Sequence, residues 1–283
     1  MNEVPPLPPL PADLAAVVQR ALDEDVGSGD LTAALIPDRA RARAEVVCRE
    51  DAVLAGTPWF DEVFARLDPT VIVSWSCRDG ERVAPGTVVC ALHGPARAIV
   101  TGERTALNFL QTLSGTATVT RTHVEALGTS RTRILDTRKT VPGLRAAQKY
   151  AVRCGGGHNH RMGLYDAVLI KENHIAAAGS IVAAANAVRA AHPDVRVEVE
   201  VESLAELEQA LAAGVDMVLL DNFELDDMRR ACALAAGRAL VEISGGVALD
   251  ELAVLGSVGA DYISVGALTK HVRATDFSMR IVG

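Results

Sequence analysis

Two short apolar runs, Ile134-Leu135 and Ala167 to Ile170, each stop abruptly at charged residues: Asp136-Thr137-Arg138-Lys139 after the first and Lys171-Glu172-Asn173-His174 after the second. Buried parallel strands read as continuous apolar runs, and in barrels of alternating strands and helices the reactive residues stand just past the strands' C-terminal ends. Between positions 131 and 171 the chain carries nine basic residues against two acidic ones, a local +7 in a chain of formal charge -8. Three of its four lysines, Lys139, Lys149 and Lys171, fall in this stretch. A concave site this basic is built to hold anions. The opposite sign follows downstream, where Glu198 to Asp227 contains ten acidic residues and no basic one. In "VRVEVEVES" Val197, Val199 and Val201 share one face and Glu198, Glu200 and Glu202 the other. Carboxylates do not line a packed core without partners, so these glutamates are expected near an open mouth. The alternation alone leaves open which of the three face the site.

The remaining apolar runs end on residues suited to phosphate. Asp221 follows one, Ser244, Gly245 and Gly246 follow the next, and Gly266 follows the last. Glycine and serine amides after late strands form the usual phosphate seat of such barrels. Upstream, "TGERTALNFLQTLSGTAT" reads as a helix buried through Leu107, Leu110 and Leu113. Arg104 is read into its first turn, where the macrodipole disfavours a cation, so it is expected to point at something negative; Asn108 shares its face. Basic residues on one side, carboxylates on another and a phosphate seat beyond suit a phosphorylated sugar reacting with an acidic small molecule.

The elements that must position these groups are legible as periodicity. Strands are expected at Arg133 to Leu135, Ala167 to Ile170, Val195 to Val201, Met217 to Leu220, Leu240 to Ile243 and Tyr262 to Val265. Helices fall between them: "SIVAAANAVRAA", then "SLAELEQALAAG" with a Ser203/Glu206 capping box and a terminal Gly214, then "LDDMRRACALAAG" closed by Gly237. Such alternation implies a parallel sheet closed as an α/β barrel, with six strands found rather than eight. Before it, Leu14 to Leu22 recur at helical spacing behind Asp13 as a cap, and "EDVGSGDLT" breaks that helix as a solvated turn. From Ala44 to Val100 short alternating runs are separated by Asp79-Gly80, Pro85-Gly86 and Gly94-Pro95, with one helix near Phe60 to Leu67, which makes a small α/β domain. Its "DGERVAPGTVV" hairpin is similar to lysine-bearing carrier domains, but no lysine precedes Lys139, so that reading fails.

Bulk properties exclude several classes. A chain of 283 residues, 49% hydrophobic, forms one barrel-sized domain or two domains. No apolar run approaches the roughly 18 residues of a membrane span. The start, "MNEVPPLPPLPADL", reads as a proline-rich arm rather than a signal peptide, so a cytoplasmic protein is expected. Cys48, Cys77, Cys90, Cys154 and Cys232 form no Cys-x-x-Cys pair and read as buried thiols. The acidic balance argues against nucleic acid as the partner.

Taken together, "DTRKTVPGLR", "GGGHNHRMGLYDAVLIKENH", "GERTALN", "EVEVES", "LLDN" and "EISGG" closely resemble the quinolinate phosphoribosyltransferase family. The resemblance spans the chain from "EDVGSGDLT" to the "DFS" ending at Ser278 and leaves out the proline arm. It implies transfer of phosphoribose from phosphoribosyl pyrophosphate (PRPP) to the ring nitrogen of quinolinate, with loss of pyrophosphate and carbon dioxide, in NAD biosynthesis. It implies an incomplete α/β (TIM-like) barrel with an N-terminal α/β sandwich domain, at 116–271 and 1–115, with 272–283 returning to the N-terminal domain. It also implies a homodimer in which Arg104 reaches the partner's site, and Mg2+ as cofactor. By the same resemblance, Arg138, His160, Arg161 and Lys171, with Thr137 beside them, hold the two quinolinate carboxylates, and Lys139 lies between the substrates. Glu200 and Asp221 face the ribose and Mg2+. Ser244, Gly245, Gly246 and Gly266, with Val265, form the 5-phosphate seat, and His271 lies near the pyrophosphate end. Lys139, Glu200 and Asp221 are the expected catalytic residues.

Rival readings start from the same residues. Lys139 or Lys171 at a strand end suits a Schiff-base lyase, although such a lysine is kept neutral in an apolar pocket and these sit among arginines. His158 and His160 are spaced as metal ligands, but the loop is flexible and cationic. A paralogue of the same fold with a different acceptor is the stronger competitor, and the His160-Arg161 pair favours a dicarboxylate.

Overall fold

The computed structural model describes residues 7–282, so the first six residues of the proline-rich arm lie outside the described residues. The chain divides into two compact units, 1–121 with 140–156 and 267–283, and 122–139 with 157–266. Elements are numbered along the chain.

The first unit contains α1 (Leu14–Val26), β1 (Arg41–Cys48), β2 (Ala52–Val53), α2 (Thr57–Leu67), β3 (Ile72–Trp75), β4 (Arg82–Val83) and β5 (Val88–Pro95). It also holds most of α3 (Ala96–Ala126), then α4 (Arg145–Cys154), α10 (Ala267–Lys270) and β12 (Phe277–Ile281). Its main sheet is antiparallel in the order β12-β1-β5-β3, so the C-terminal segment returns to pair with β1 from Ala44↔Ile281 to Cys48↔Phe277. Leu107, Leu110 and Leu113 of α3 are buried, with Trp59, Phe60, Val63 and Phe64 of α2 in the same core. Gly115 allows α3 to pass the returning segment, since a Cβ there would lie 2.0 Å from the Arg273 carbonyl oxygen. The Asp79 carboxylate is buried, accepts the Gly56 and Thr57 N–H groups at the start of α2 and accepts the Tyr150 hydroxyl. Burial pushes its pKa up.

Several expectations change here. The Gly94-Pro95 pair lies inside β5 and runs directly into α3, so it is no turn. Because α3 starts at Ala96, Arg104 stands two turns into the helix, exposed beside Asn108, and the macrodipole argument for it lapses. Asp13 precedes α1 without a side-chain cap.

The second unit contains β6 (Arg133–Leu135), β7 (Val168–Ile170), α5 (Glu172–Ala178), α6 (Ile181–Ala191), β8 (Val197–Val201), α7 (Leu204–Ala212), β9 (Met217–Asp221), α8 (Leu225–Ala235), β10 (Leu240–Ser244), α9 (Leu252–Leu255) and β11 (Tyr262–Ser264). Its six strands form one parallel sheet, β6-β11-β10-β9-β8-β7, open between β6 and β7: the alternation led to a closed barrel, and the structure has the incomplete one that the resemblance implied. Val197, Val199 and Val201 are buried on one face of β8. On the other face Glu198 is buried, Glu200 is partly exposed and Glu202 is exposed, so the three glutamates climb from the interior to the rim. Ser203 caps α7 through the Glu206 N–H, while the Glu206 carboxylate accepts from Glu202 rather than closing the box on Ser203. Gly214 and Gly237 end α7 and α8 with φ of 67° and 72°, the left-handed conformation that glycine adopts without strain. No helix of the described residues is long and apolar enough to cross a membrane.

Candidate active site

The C-terminal ends of the parallel strands carry most of the expected site residues. Past β6, the buried Asp136 organises the loop that follows α4: its carboxylate accepts the His160 backbone N–H at 2.9 Å and the Asn159 side-chain amide at 2.5 Å. The His158 N–H donates to Ile134 and the Asp136 N–H to His158, so Leu135 and His158 pair in parallel and the loop starts as an extension of the sheet beside β6. Sequence reading assigned Asp136 and Asn159 no role. An acid ending an apolar run is the signal that marked the first of them.

Thr137 Oγ1 accepts the Lys139 N–H at 3.0 Å, and Lys139 lies across Gly266 after β11, where a Cβ would be 3.0 Å from Lys139 Cδ and 3.6 Å from Thr137 Oγ1. A side chain at 266 would press on that lysine and shift its Cδ by a few tenths of an ångström. Arg161 donates to the Ala167 carbonyl. Its pKa is lowered, first by burial and then by Arg138, which places the two guanidinium groups close enough to repel each other. Such a pair is stabilised by an anion bound between or beside them. At the next strand ends Lys171 forms an ion pair with Glu200, following the β7–β8 register of Ile170↔Val199.

Asp221 closes β9 and is bonded to the Asn222 amide at 3.0 Å. Asn222 has φ 55° and abuts Gly245 after β10, where a Cβ would lie 2.6 Å from Asn222 Oδ1 and φ is 107°. Two adjacent strand ends are thus built against each other, with Ser244 in register with Asp221 and open space around Gly246. Val265 is buried, with its N–H on the Leu135 carbonyl. Arg104 and His271, both exposed, belong to the first unit.

Deeper in the second unit, His160, Glu198 and Glu242 converge: His160 Nε2 is 3.0 Å from Glu198 Oε2 and 3.4 Å from Glu242 Oε2. Glu242 escaped the sequence reading, although a lone acid in the apolar run "LVEIS" was its signal. Among the described residues this is the group of three whose atoms lie close enough to share one ion, and it contains neither His158 nor the expected metal residues. Glu200 and Asp221 are two hard oxygen donors at strand ends, in no group of three candidate ligands among the described residues, which fits Mg2+, an ion held by one or two carboxylates while water and substrate phosphates complete its shell.

Comparison with known proteins decides the family. Residues 30–114 match the quinolinate phosphoribosyl transferase N-terminal domain and residues 116–280 its C-terminal domain. The chain belongs to the quinolinate phosphoribosyltransferase family. It is 44% identical over 259 residues to a probable nicotinate-nucleotide pyrophosphorylase (carboxylating) of Bacillus subtilis, covering 91% of this chain and 90% of that one. It is also 44% identical over 271 residues to the nicotinate-nucleotide pyrophosphorylase of Mycobacterium leprae, covering 93% and 95%. A solved structure of the Francisella tularensis nicotinate-nucleotide pyrophosphorylase superposes with a TM-score of 0.94 at 44% identity, covering 97% of this chain and 98% of that one. The incomplete barrel and the sheet domain before it are therefore the quinolinate phosphoribosyltransferase fold.

Proposed function

We propose that the chain transfers phosphoribose from PRPP to quinolinate, releasing pyrophosphate and carbon dioxide and forming nicotinate mononucleotide in NAD biosynthesis. The observation that carries this reading is the Arg138–Arg161 pair beside the strand ends that bear Lys171, Glu200 and Asp221. Quinolinate brings two carboxylates that must be paired on burial, and each charge-assisted hydrogen bond contributes roughly 1.5 to 3 kcal/mol. Arg138, Arg161, Lys171 and Thr137 hold them, and His160 belongs to the same seat. Lys139 lies between the two substrates. Ser244, Gly245, Gly246 and Gly266, with Val265, seat the 5-phosphate, and His271 serves the pyrophosphate end.

As the bond from ribose C1 to pyrophosphate breaks, positive charge grows on the ribose ring, and the carboxylates of Glu200 and Asp221 stabilise it. The quinolinate ring nitrogen forms the new bond to C1. Glu200 and Asp221 would hold Mg2+ together with PRPP, and the ion would supply neutralisation of the leaving pyrophosphate. The alkylated ring is then a cation that accepts the electrons left at C2 when carbon dioxide departs, and a proton from water takes its place. No general base is required. The protein acts as a cytoplasmic homodimer in which Arg104 of one subunit completes the partner's site; its exposure on α3 supports that role.

A Schiff-base lyase is disfavoured because Lys171 is paired with Glu200 and Lys139 is exposed. The test is nicotinate mononucleotide formation from PRPP, Mg2+ and quinolinate, with nicotinate in parallel. Product from quinolinate alone is expected. Product from nicotinate would overturn the dicarboxylate seat, and product from neither would point to a paralogue with another acceptor.

A further inference from the structure

The cluster under the dicarboxylate seat has a geometry that substrate contact does not explain. Glu242 is 1% exposed and Glu198 4%, and they enter from β10 and β8 on the interior face. Both approach the same atom of His160, Nε2, at 3.4 and 3.0 Å. On the other side of the ring, the Arg161 backbone N–H donates to His160 Nδ1 at 2.7 Å. A ring nitrogen that accepts an N–H carries no proton, so the imidazole proton sits on Nε2 and points at the carboxylates. Both ring nitrogens are engaged inside the protein.

We propose that Glu242 is a positioning residue: packed 3.4 Å from His160 Nε2, it backs the Glu198 carboxylate that takes the Nε2–H of a neutral His160, whose Nδ1 fixes the Arg161 amide and thereby aims the Arg161 guanidinium into the dicarboxylate seat. This rests on the function proposed above and gives His160 an indirect part in it. The loop needs such a clamp, because Gly155, Gly156, Gly157 and Gly163 leave its backbone little intrinsic order. Its other anchor, Asp136, holds the His160 N–H and the Asn159 side-chain amide. Two buried carboxylates beside a neutral imidazole are tolerated only if one carries a proton. Glu242 is the one: burial first and the Glu198 charge second push it up to about 8. At neutral pH it is a carboxylic acid inside the cluster, and a glutamine there keeps both its neutrality and a donor.

The test combines kinetics with a measurement that needs no turnover. In the full-length protein, E242A is expected to raise the KM for quinolinate about tenfold, with the KM for PRPP changed less than about twofold, and E242Q to restore the quinolinate KM to within about twofold of wild type. Nitrogen-15 spectra of histidine-labelled protein, with H160N identifying the resonance, are expected to show a neutral His160 protonated on Nε2 at neutral pH. An imidazolium or an Nδ1–H tautomer overturns the clamp, as does an equal rise in both KM values in E242A, which would signal general damage. Stoichiometric bound metal lost in E242Q would also overturn it, because the cluster would then be an ion site. If wild type turns over no quinolinate, the proposed function fails while the tautomer still decides the clamp.

Discussion

Replacing Glu242 by glutamine tests how the barrel interior tolerates its acids. The ordinary carboxyl value of 4.5 is pushed up to about 8 in the folded chain by burial and by the neighbouring Glu198. Between those limits the folded protein holds a proton that the unfolded chain has released, so wild-type stability falls as pH rises through the window and levels off above about 8. Each pH unit removes about 1.4 kcal/mol, and the whole window on the order of 5 kcal/mol, a large share of a typical folding free energy. E242Q has no such proton to lose. Urea midpoints of wild type and E242Q, measured from about pH 5 to about 8.5, are expected to diverge in favour of the variant by several kcal/mol and then run parallel. Curves that stay parallel throughout would mean that Glu242 titrates alike folded and unfolded. They would refute the reasoning that one proton neutralises the cluster.

Mixing R104A with R138A subunits is expected to recover about a quarter of wild-type activity, because half the random dimers carry one site built from intact residues; no recovery would place Arg104 in its own subunit's site. G266A is expected to lower kcat/KM by about tenfold or more with little change in thermal midpoint, since the added Cβ meets Lys139 rather than the core, and an unchanged rate would remove Lys139 from the space between the substrates. Chelation of divalent cations with EDTA is expected to stop turnover and excess Mg2+ to restore it, with D221A needing about tenfold more Mg2+; full activity in EDTA would remove the metal from the reaction.

The sequence by itself determined the alternating architecture and most of the mouth. Each of the six barrel strands lies within a residue or two of the run that marked it, because a strand covered on both faces is apolar along its length, β8 excepted with its Val/Glu alternation, and the charge that ends it must reach water. The same rule exposed Arg138, Lys139, Lys171, Asp221 and the Ser244-Gly245-Gly246 turn, all at strand ends. Local signals failed where neighbours in space decide. Helix α3 starts five residues before the Thr101 that the sequence suggests, because Gly94-Pro95 reads as punctuation, yet the β1 partnership carries β5 through it. Which glutamate of β8 points inward followed only from its register with β7 and β9. Glu242 and Asp136 stood in the sequence as isolated acids, 106 positions apart. Only the folded barrel brings each to the loop of His160, where burial turns two ordinary carboxyl groups into a proton-bearing clamp and a backbone anchor, because their effect depends on the loss of water around them and that loss is a property of the assembled interior.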